Sequence, residues 1–295
     1  MSLETAPRLP VAPPRPRLRR ASLAFLITVA GAVVIAMPSA GVDPGALLSP
    51  DSADAASRFI AGMFPPELAP DYLARVATLV LQTIAISIAG TAIAAVAAVP
   101  LGLLALRLRG EERGRAATGA GRWGARWAVC LAARLVLNLA RAVPELAWAL
   151  LFVVMVGLGP FAGVLALAAH SAGVLGKLYS ELLESVDQRA VEAVRATGAR
   201  EIAVTMLVRV PLALPVLLSY TLFRWECNLR AATVLGLVGA GGIGTELILA
   251  FRLFRYHELL TLVLAVLALV VLIDATGQVI RAQLLDAPDA SCLPE

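Results

Sequence analysis

Long apolar runs separated by short charged segments set the pattern of this chain. The runs are rich in small Ala, Gly and Val side chains, which favour closely packed membrane helices over barrel strands. The pattern therefore predicts an all-α, polytopic integral membrane protein with about six transmembrane helices. The predicted spans are 21–37, 74–106, 145–158, 161–177, a fifth from about Leu212 to a glycine run at 236–244, and 259–280.

The composition supports a membrane location and excludes several other classes. Of 295 residues, 59% are hydrophobic and 16% are charged, and the mean hydropathy of +0.83 is too high for a water-soluble domain. The net charge of +4 does not indicate nucleic-acid binding, because the arginines flank apolar spans instead of forming a basic domain. The three cysteines have no C-x-x-C spacing, so neither a disulfide framework nor a zinc site is expected.

Charges between the spans predict the orientation in the membrane. Residues 1–20 form a proline-rich basic tail and six arginines crowd 107–126, so both segments are expected in the cytoplasm. The acidic 38–71 loop is expected outside. The apolar transmembrane domain is expected to cover 21–285, with a short 286–295 tail in the cytoplasm. A cleaved signal peptide is the alternative to an uncleaved first span.

The stretch that precedes the third span is amphipathic. Arg134, Asn138 and Arg141 lie at i, i+4 and i+7, which places them on one face of a helix. We expect this helix to lie at the membrane interface. Pro144-Glu145 should then begin a new helix, which forms the short third span.

A cluster of charges at 185–211 interrupts the apolar pattern. Ser185 and Gln188 have the spacing of a capping box, which predicts a helix start. Gly198 follows after a few turns, and we expect it to adopt a positive φ that ends this helix. A second helix should leave at an angle and continue to Pro211. The segment is thus predicted to form a bent pair of short helices.

Helical spacing divides this segment into an apolar and a charged side. An apolar ridge flanked by Glu192, Arg195 and Glu201 would fit a groove on a partner protein. An ordinary interfacial helix that links two spans is the alternative. The ridge consists of Val191, Val194, Gly198, Ile202 and Thr205.

Polar side chains inside predicted spans indicate a path for a solute. A charge within the membrane is costly unless it is paired or faces water. One interpretation is that Glu226 and Arg230, at i and i+4, neutralise each other. Arg224 would then still contribute an excess positive charge. His170 is either a path residue or a packing residue. The candidate path residues are His170, Lys177, Arg224, Glu226, Asn228 and Arg230.

Two motif-like stretches suggest other functions but lack the required context. Residues 239–244 match G-x-G-x-x-G, yet they follow a membrane helix and no βαβ unit surrounds them, so a close-packed turn is expected instead of a dinucleotide site. Residues 169–173 resemble a serine nucleophile elbow with His257 as a distant base, which leaves a membrane hydrolase as an alternative. The sequence contains no P-loop or metal motif. We therefore expect no catalytic residue, no metal and no cofactor in this chain.

The charged segment between the fourth and fifth spans resembles the EAA loop of ABC importer permeases. The spacing of the family pattern E-A-A-x3-G-x9-I-x-L-P is met from Glu192 to Pro211. Val194, Val208 and Val210 replace the alanine, isoleucine and leucine of the pattern. In that family the loop is the coupling helix that contacts the ATPase subunit. The resemblance implies that coupling depends on Glu192, Ala193, Val194, Gly198, Ala199 and Pro211.

A narrower resemblance connects the chain with phosphonate/phosphate transporter permeases. It rests on residues 141–145, 170–177 and 224–244, of which the last segment is the most specific. Residues 1–70 match no motif of the family. The resemblance implies the type I ABC importer permease fold, and transport of a phosphorus oxyanion along the charged fifth span. Permeases for methionine or a quaternary amine share the EAA loop and are the alternative.

The expected partners follow from the same resemblance. Such permeases are transport subunits of the cell membrane and not enzymes. They imply a homodimer in lipid, ATP-binding-cassette subunits that bind ATP and Mg, and an external solute-binding protein that delivers the cargo. Alternating access would move the solute. Nucleic acid is not an expected partner.

Overall fold

The computed structural model describes residues 20–41, 45, 49–107 and 120–285. Within these ranges the regular structure is helical and no strand occurs, which confirms the all-α prediction. The predicted basic tail up to residue 19, the stretch 108–119 of the arginine-rich loop and the 286–295 tail lie outside the described residues.

We number the helices in chain order. Between α8 and α9 lies a π-helical segment, Thr205–Arg209, and α9 ends in a 3₁₀ turn, Gly236–Val238. The helices are α1 Arg20–Ser39, α2 Pro50–Met63, α3 Pro70–Leu104, α4 Ala120–Ala142, α5 Glu145–Val156, α6 Pro160–Ser185, α7 Gln188–Ala196, α8 Glu201–Val204, α9 Val210–Leu235, α10 Ile243–Arg252 and α11 Tyr256–Leu285.

The chain divides into two compact units, 1–61 and 62–295. In the first unit, α1 has 20 residues and its apolar stretch is Leu23–Met37. At 1.5 Å per residue this apolar stretch is about 22 Å long, which is shorter than the roughly 30 Å hydrocarbon core of a bilayer. α2 carries Asp51 in its first turn and contains no buried residue.

Four helical segments of the second unit are long and apolar enough to cross a membrane: Pro70–Leu104, Pro160–Ser185, Glu201–Val238 and Tyr256–Gln283. A fifth crossing requires α4 and α5 together, which form a pair bent by 92°. The prediction of a separate span at 145–158 is wrong. α5 has 12 residues and is about 18 Å long, which is too short for about 30 Å of hydrocarbon.

α4 packs against α6. Leu137 is fully buried over Gly176, where an added Cβ would lie 2.5 Å from a Leu137 methyl group. Arg134 points inwards: its Nη2 lies 2.5 Å from Glu184 Oε1 and its Nε donates to the Ala105 carbonyl at 2.8 Å.

The three residues of the predicted polar face of α4 do not act together. Unlike Arg134, Asn138 and Arg141 are exposed, and Arg141 Nε donates to Asn138 Oδ1 at 3.2 Å. Other outward positions are apolar, namely Val129, Leu131, Leu135, Val136 and Leu139.

The centre of the second unit is the long contact between α3 and α6. Small residues permit this close approach: a Cβ at Gly102 would lie 3.0 Å from the carbonyl oxygen of Gly176. A buried cluster joins the same two helices to α5 and α9 through Ile86, Ala149, Leu167 and Leu235. These four helices form the scaffold that holds the polar groups of the candidate site.

A tight turn follows α9, as the glycine run predicted. Gly239, Gly241 and Gly242 have φ values of 85°, 84° and 76°, and a Cβ at Gly241 would lie 2.9 Å from the backbone of Pro160. The turn leads into α10, a 10-residue helix that the sequence analysis did not predict. Its Glu246 forms an ion pair of 2.9 Å with Arg75 of α3.

Candidate functional site

The 185–211 loop contains the predicted pair of short helices, α7 and α8. The N-cap of α7 is Asp187, whose carboxylate accepts a hydrogen bond from the Arg189 amide at 2.9 Å. Ser185 is not the cap, because α6 continues through it and its hydroxyl donates to the Leu182 carbonyl. The predicted helix start is therefore correct, but the predicted capping box does not form.

Gly198 separates the two helices with a φ of 81°, which confirms the predicted left-handed conformation. No heavy atom lies within 4 Å of an added Cβ, so the backbone alone requires glycine here. Across this bend, Arg195 donates from Nε and Nη2 to the two carboxylate oxygens of Glu201, at 2.7 and 3.1 Å. These hydrogen bonds raise the pKa of Arg195 above its ordinary value. The ion pair braces the angle between α7 and α8.

The apolar ridge is only partly as predicted, because its members face in different directions. Val191 is fully buried and packs with Val204 and Val208 beneath the loop. Ile202 points the other way and is 76% exposed. The helical spacing of the apolar residues could not show these different orientations, because the bend at Gly198 breaks the helical register between α7 and α8.

The outward side of the loop is short, polar and partly charged. Of the six predicted coupling residues, Glu192, Ala193, Gly198 and Pro211 are exposed, whereas Val194 and Ala199 are half-buried against the valine cluster. The structure thus presents a shallow surface backed by a packed core. The exposed residues of this surface are Arg189, Glu192, Ala193, Ala196, Thr197, Gly198, Arg200 and Ile202.

Arg224 in α9 is held by a chain of hydrogen bonds inside the bundle. Its Nε donates to Ser171 Oγ at 3.0 Å, and Ser171 Oγ donates to Asn228 Oδ1 at 2.8 Å. Asn228 Nδ2 in turn donates to Thr91 Oγ1 at 2.8 Å. We call these four residues the polar belt. It joins α3, α6 and α9, and it orients the Arg224 guanidinium through Nε.

His170 and Lys177 both have acidic partners. His170 Nδ1 lies 2.9 Å from the Val143 carbonyl, which can only accept, so this nitrogen donates. Its Nε2 lies 3.3 Å from Glu145 Oε2, and it donates there when the ring is protonated. Lys177 lies 3.0 Å from Glu181 on the same helix. His170 thereby clamps the joint between α4 and α5.

The interpretation that Glu226 and Arg230 neutralise each other is wrong. Glu226 is 3% exposed and forms an ion pair with Arg281 of α11. Arg230 reaches Asp274 of the same helix at 3.5 Å. Both pairs connect α9 with α11, so these charges are balanced between helices and not along one helix.

A cavity of about 470 Å³ lies beside these groups. Glu145 and Arg230 are its charged lining residues. Arg224 lies one turn before the lining residue Cys227 in α9 and is not itself a lining residue. Of the predicted path residues, Arg230 lines this cavity, together with Glu145, an acidic group that was not predicted.

Neither a dinucleotide site nor a serine hydrolase site has geometric support in the described residues. In the 239–244 stretch, the Gly242 amide donates to Gln82 Oε1 at 3.1 Å and the Ile243 amide to Thr83 Oγ1 at 2.9 Å, so these amides are already engaged by α3. Ser171 belongs to the polar belt. His257 Nδ1 lies 2.7 Å from the Pro65 carbonyl and not beside that serine.

The prediction from sequence missed three charged groups of the site, Glu145, Asp274 and Arg281. A signal existed for the last two, because charges near or inside the apolar sixth span are costly and call for partners. Ser171 and Thr91 carried no such signal, since small hydroxyl side chains are common in membrane helices and bond to their own backbone.

The fold and the site define an importer permease of the type I class. A structure of the MetNI methionine ABC transporter in an inward-facing conformation contains a chain that matches 74% of this protein and 99% of its own length. The TM-score is 0.57 at 22% identity. The fold of that transporter's membrane subunit is thus present here.

The chain belongs to the family of binding-protein-dependent transport system inner membrane components, whose model matches residues 116–285. It is therefore a membrane-spanning permease subunit. The phosphite transport system permease protein PtxC of Stutzerimonas stutzeri is 41% identical over 201 residues, which is 68% of each chain. The phosphate-import permease protein PhnE of Mycolicibacterium smegmatis is 37% identical over 243 residues, 82% of this chain and 42% of that protein.

Proposed function

We propose that this chain is the permease subunit of an ABC importer for a phosphorus oxyanion, namely phosphite, a phosphonate or phosphate. The observation that carries the proposal is the Arg224 guanidinium, which the polar belt orients inside the bundle, in the same helix that places Arg230 in the lining of the cavity. Guanidinium groups bind tetrahedral oxyanions through paired N–H donors. The names of the two relatives given above support the same cargo.

The assembly that fits this function contains two copies of the permease. Two ATP-binding-cassette subunits, which bind ATP and Mg, would dock on the exposed surface of α7 and α8, and an external solute-binding protein would deliver the anion. Closure of the ATPases would move both loops and reorient the bundles by alternating access. This chain itself would conduct and couple without catalysing a reaction.

The orientation that we propose places the 185–211 loop and both termini in the cytoplasm. In a cysteine-free background, a cysteine at Ser52 should react with an impermeant thiol reagent applied to intact cells. A cysteine at Arg200 should react only after the cells are opened. Labelling of the Arg200 position from outside would contradict the orientation.

Reconstituted transport tests the proposed function directly. The permease, its ATPase and the binding protein are placed in lipid vesicles, and uptake of phosphite, methylphosphonate, phosphate and methionine is compared. ATP-dependent accumulation of one phosphorus oxyanion, with none of methionine, is the expected result. Accumulation of methionine in place of all three anions would reject the proposed cargo while leaving the permease class intact.

A further inference from the structure

The arginine that lines the cavity is already paired with a carboxylate, and a second carboxylate lies in the lining itself. Asp274 Oδ1 is 3.5 Å from Arg230 Nη2, and the two side chains are 37% and 48% exposed. Glu145 lines the same cavity as Arg230 and is paired with His170 at 3.3 Å. An anion in this cavity would therefore meet cations that are not free.

The charges around the cavity are close to balanced when no anion is present. The charged lining residues, Arg230 and Glu145, have opposite signs, and each has a partner: Asp274 for Arg230 and His170 for Glu145. Glu226 and Arg281 neutralise each other in a separate, more deeply buried pair. Balance of this kind is required for stability, because an unpaired charge inside a membrane protein is strongly destabilising.

Balance also has a consequence for transport. A site that conducts must bind its ion well enough to admit it and weakly enough to release it. A bare Arg230 in this largely apolar lining would hold a phosphorus oxyanion tightly, because charge-assisted bonds are strong away from water. Asp274 beside Arg230 opposes such retention, since it repels the anion and re-forms its own ion pair as the anion leaves. Glu145 adds a second negative charge to the lining.

We propose that Glu145 and Asp274 are built-in counterions, which occupy the cations of the path when it is empty and compete with the transported anion. The inference rests on the proposed function, because it assumes that the cargo is an anion. It assigns to both carboxylates a positioning role in release, which differs from a merely structural role in one respect: removal of the negative charge should strengthen anion binding.

Equilibrium binding of radiolabelled inorganic phosphate tests this inference. The probe is added to the purified, nucleotide-free permease–ATPase complex without binding protein. Glu145→Gln and Asp274→Asn should each bind phosphate about tenfold more tightly than the wild type, which is equivalent to about 1.4 kcal/mol. In vesicles, both variants should accumulate phosphate more slowly, because release limits turnover.

Two further variants show whether tighter phosphate binding requires the loss of Glu145 or Asp274 in particular, or follows from the loss of any carboxylate. Glu258→Gln removes a carboxylate of α11 that pairs with Arg255 at 3.5 Å, and neither Glu258 nor Arg255 lines the cavity, so phosphate binding should not change. Asp274→Asn combined with Arg230→Gln should bind no more tightly than the wild type, since the cation that Asp274 releases is gone.

The inference fails if intact Glu145→Gln and Asp274→Asn complexes bind phosphate no more tightly than the wild type. It also fails if Glu258→Gln gives the same gain. Uptake by the wild type in the same preparation separates this failure from failure of the proposed function. Normal uptake with unchanged binding rejects only the counterion role, whereas wild-type vesicles that accumulate no phosphorus oxyanion reject the proposed cargo.

Discussion

The 185–211 loop is stabilised by contacts between residues that are close in sequence, whereas the polar belt is stabilised by contacts between residues that are far apart in sequence. In the loop, the bonds that fix its shape join neighbours in sequence, such as Arg195 with Glu201, six residues apart. In the polar belt, Asn228 bonds Thr91 across 137 residues and Ser171 across 57. The loop is thus shaped by its own residues, whereas the polar belt exists only when three helices are assembled.

This difference separates what each region can do. We expect a locally braced loop to move as a unit when a partner pushes on its exposed side. The valine cluster beneath it joins α7 and α8 to the π-helical segment that continues into α9. The polar belt cannot move by itself, because any shift of α3, α6 or α9 changes the bonds that orient Arg224. We therefore expect mutations in the loop to affect coupling and mutations in the polar belt to affect conduction.

The largest effect is expected at Arg224. Arg224→Gln removes the oriented guanidinium, and loss of a charged hydrogen bond worth about 3 kcal/mol should lower anion uptake roughly 100-fold. Uptake by reconstituted vesicles measures it, and size-exclusion chromatography should show an intact complex. Arg252→Gln, which removes an exposed charge from α10, is the matched control. Equal losses in the two variants would contradict a specific role.

A smaller, purely conformational effect is expected at Gly198. Gly198→Val places a β-branched residue at a φ of 81°, which costs about 1–2 kcal/mol, and should reduce ATP hydrolysis stimulated by loaded binding protein about tenfold. Gly198→Asn is the control, because asparagine tolerates this conformation and space for a side chain is open. If the two variants behave alike, backbone geometry is not what the position requires.

The smallest effect is expected for the brace across the bend. Arg195 and Glu201 are each about one-third exposed, so their ion pair contributes about 0.5–1 kcal/mol. Arg195→Gln should lower stimulated ATP hydrolysis about two- to fivefold. Exchange of the two residues, Arg195→Glu with Glu201→Arg, should recover most of it. No recovery would indicate that Arg195 contacts the partner itself.

The same difference in range explains which features could be predicted from sequence. Gly198 was predictable, because a glycine between two amphipathic stretches reports a local backbone requirement. The Ser185 cap was wrong by two residues, because Asp187 competes for the same helix start. Such errors are small, since every competing residue lies within the same few turns.

The errors were larger where distant helices decide the outcome. Arg134 was grouped with Asn138 and Arg141 on one outward face, although it faces Glu184, 50 residues away. Glu226 and Arg230 were paired with each other, although α11 supplies the partner of each. Sequence spacing identifies the charges that need a partner, but not which of several nearby helices provides it.

The most direct test of the central claim, that the loop couples while the polar belt conducts, is a paired measurement in the same vesicles. Stimulated ATP hydrolysis and anion accumulation are recorded for Arg224→Gln and Gly198→Val. We predict that Arg224→Gln keeps stimulated hydrolysis near the wild-type level and loses accumulation, whereas Gly198→Val loses both together. Loss of hydrolysis in Arg224→Gln, with both activities intact in Gly198→Val, would contradict the division of roles between the two regions.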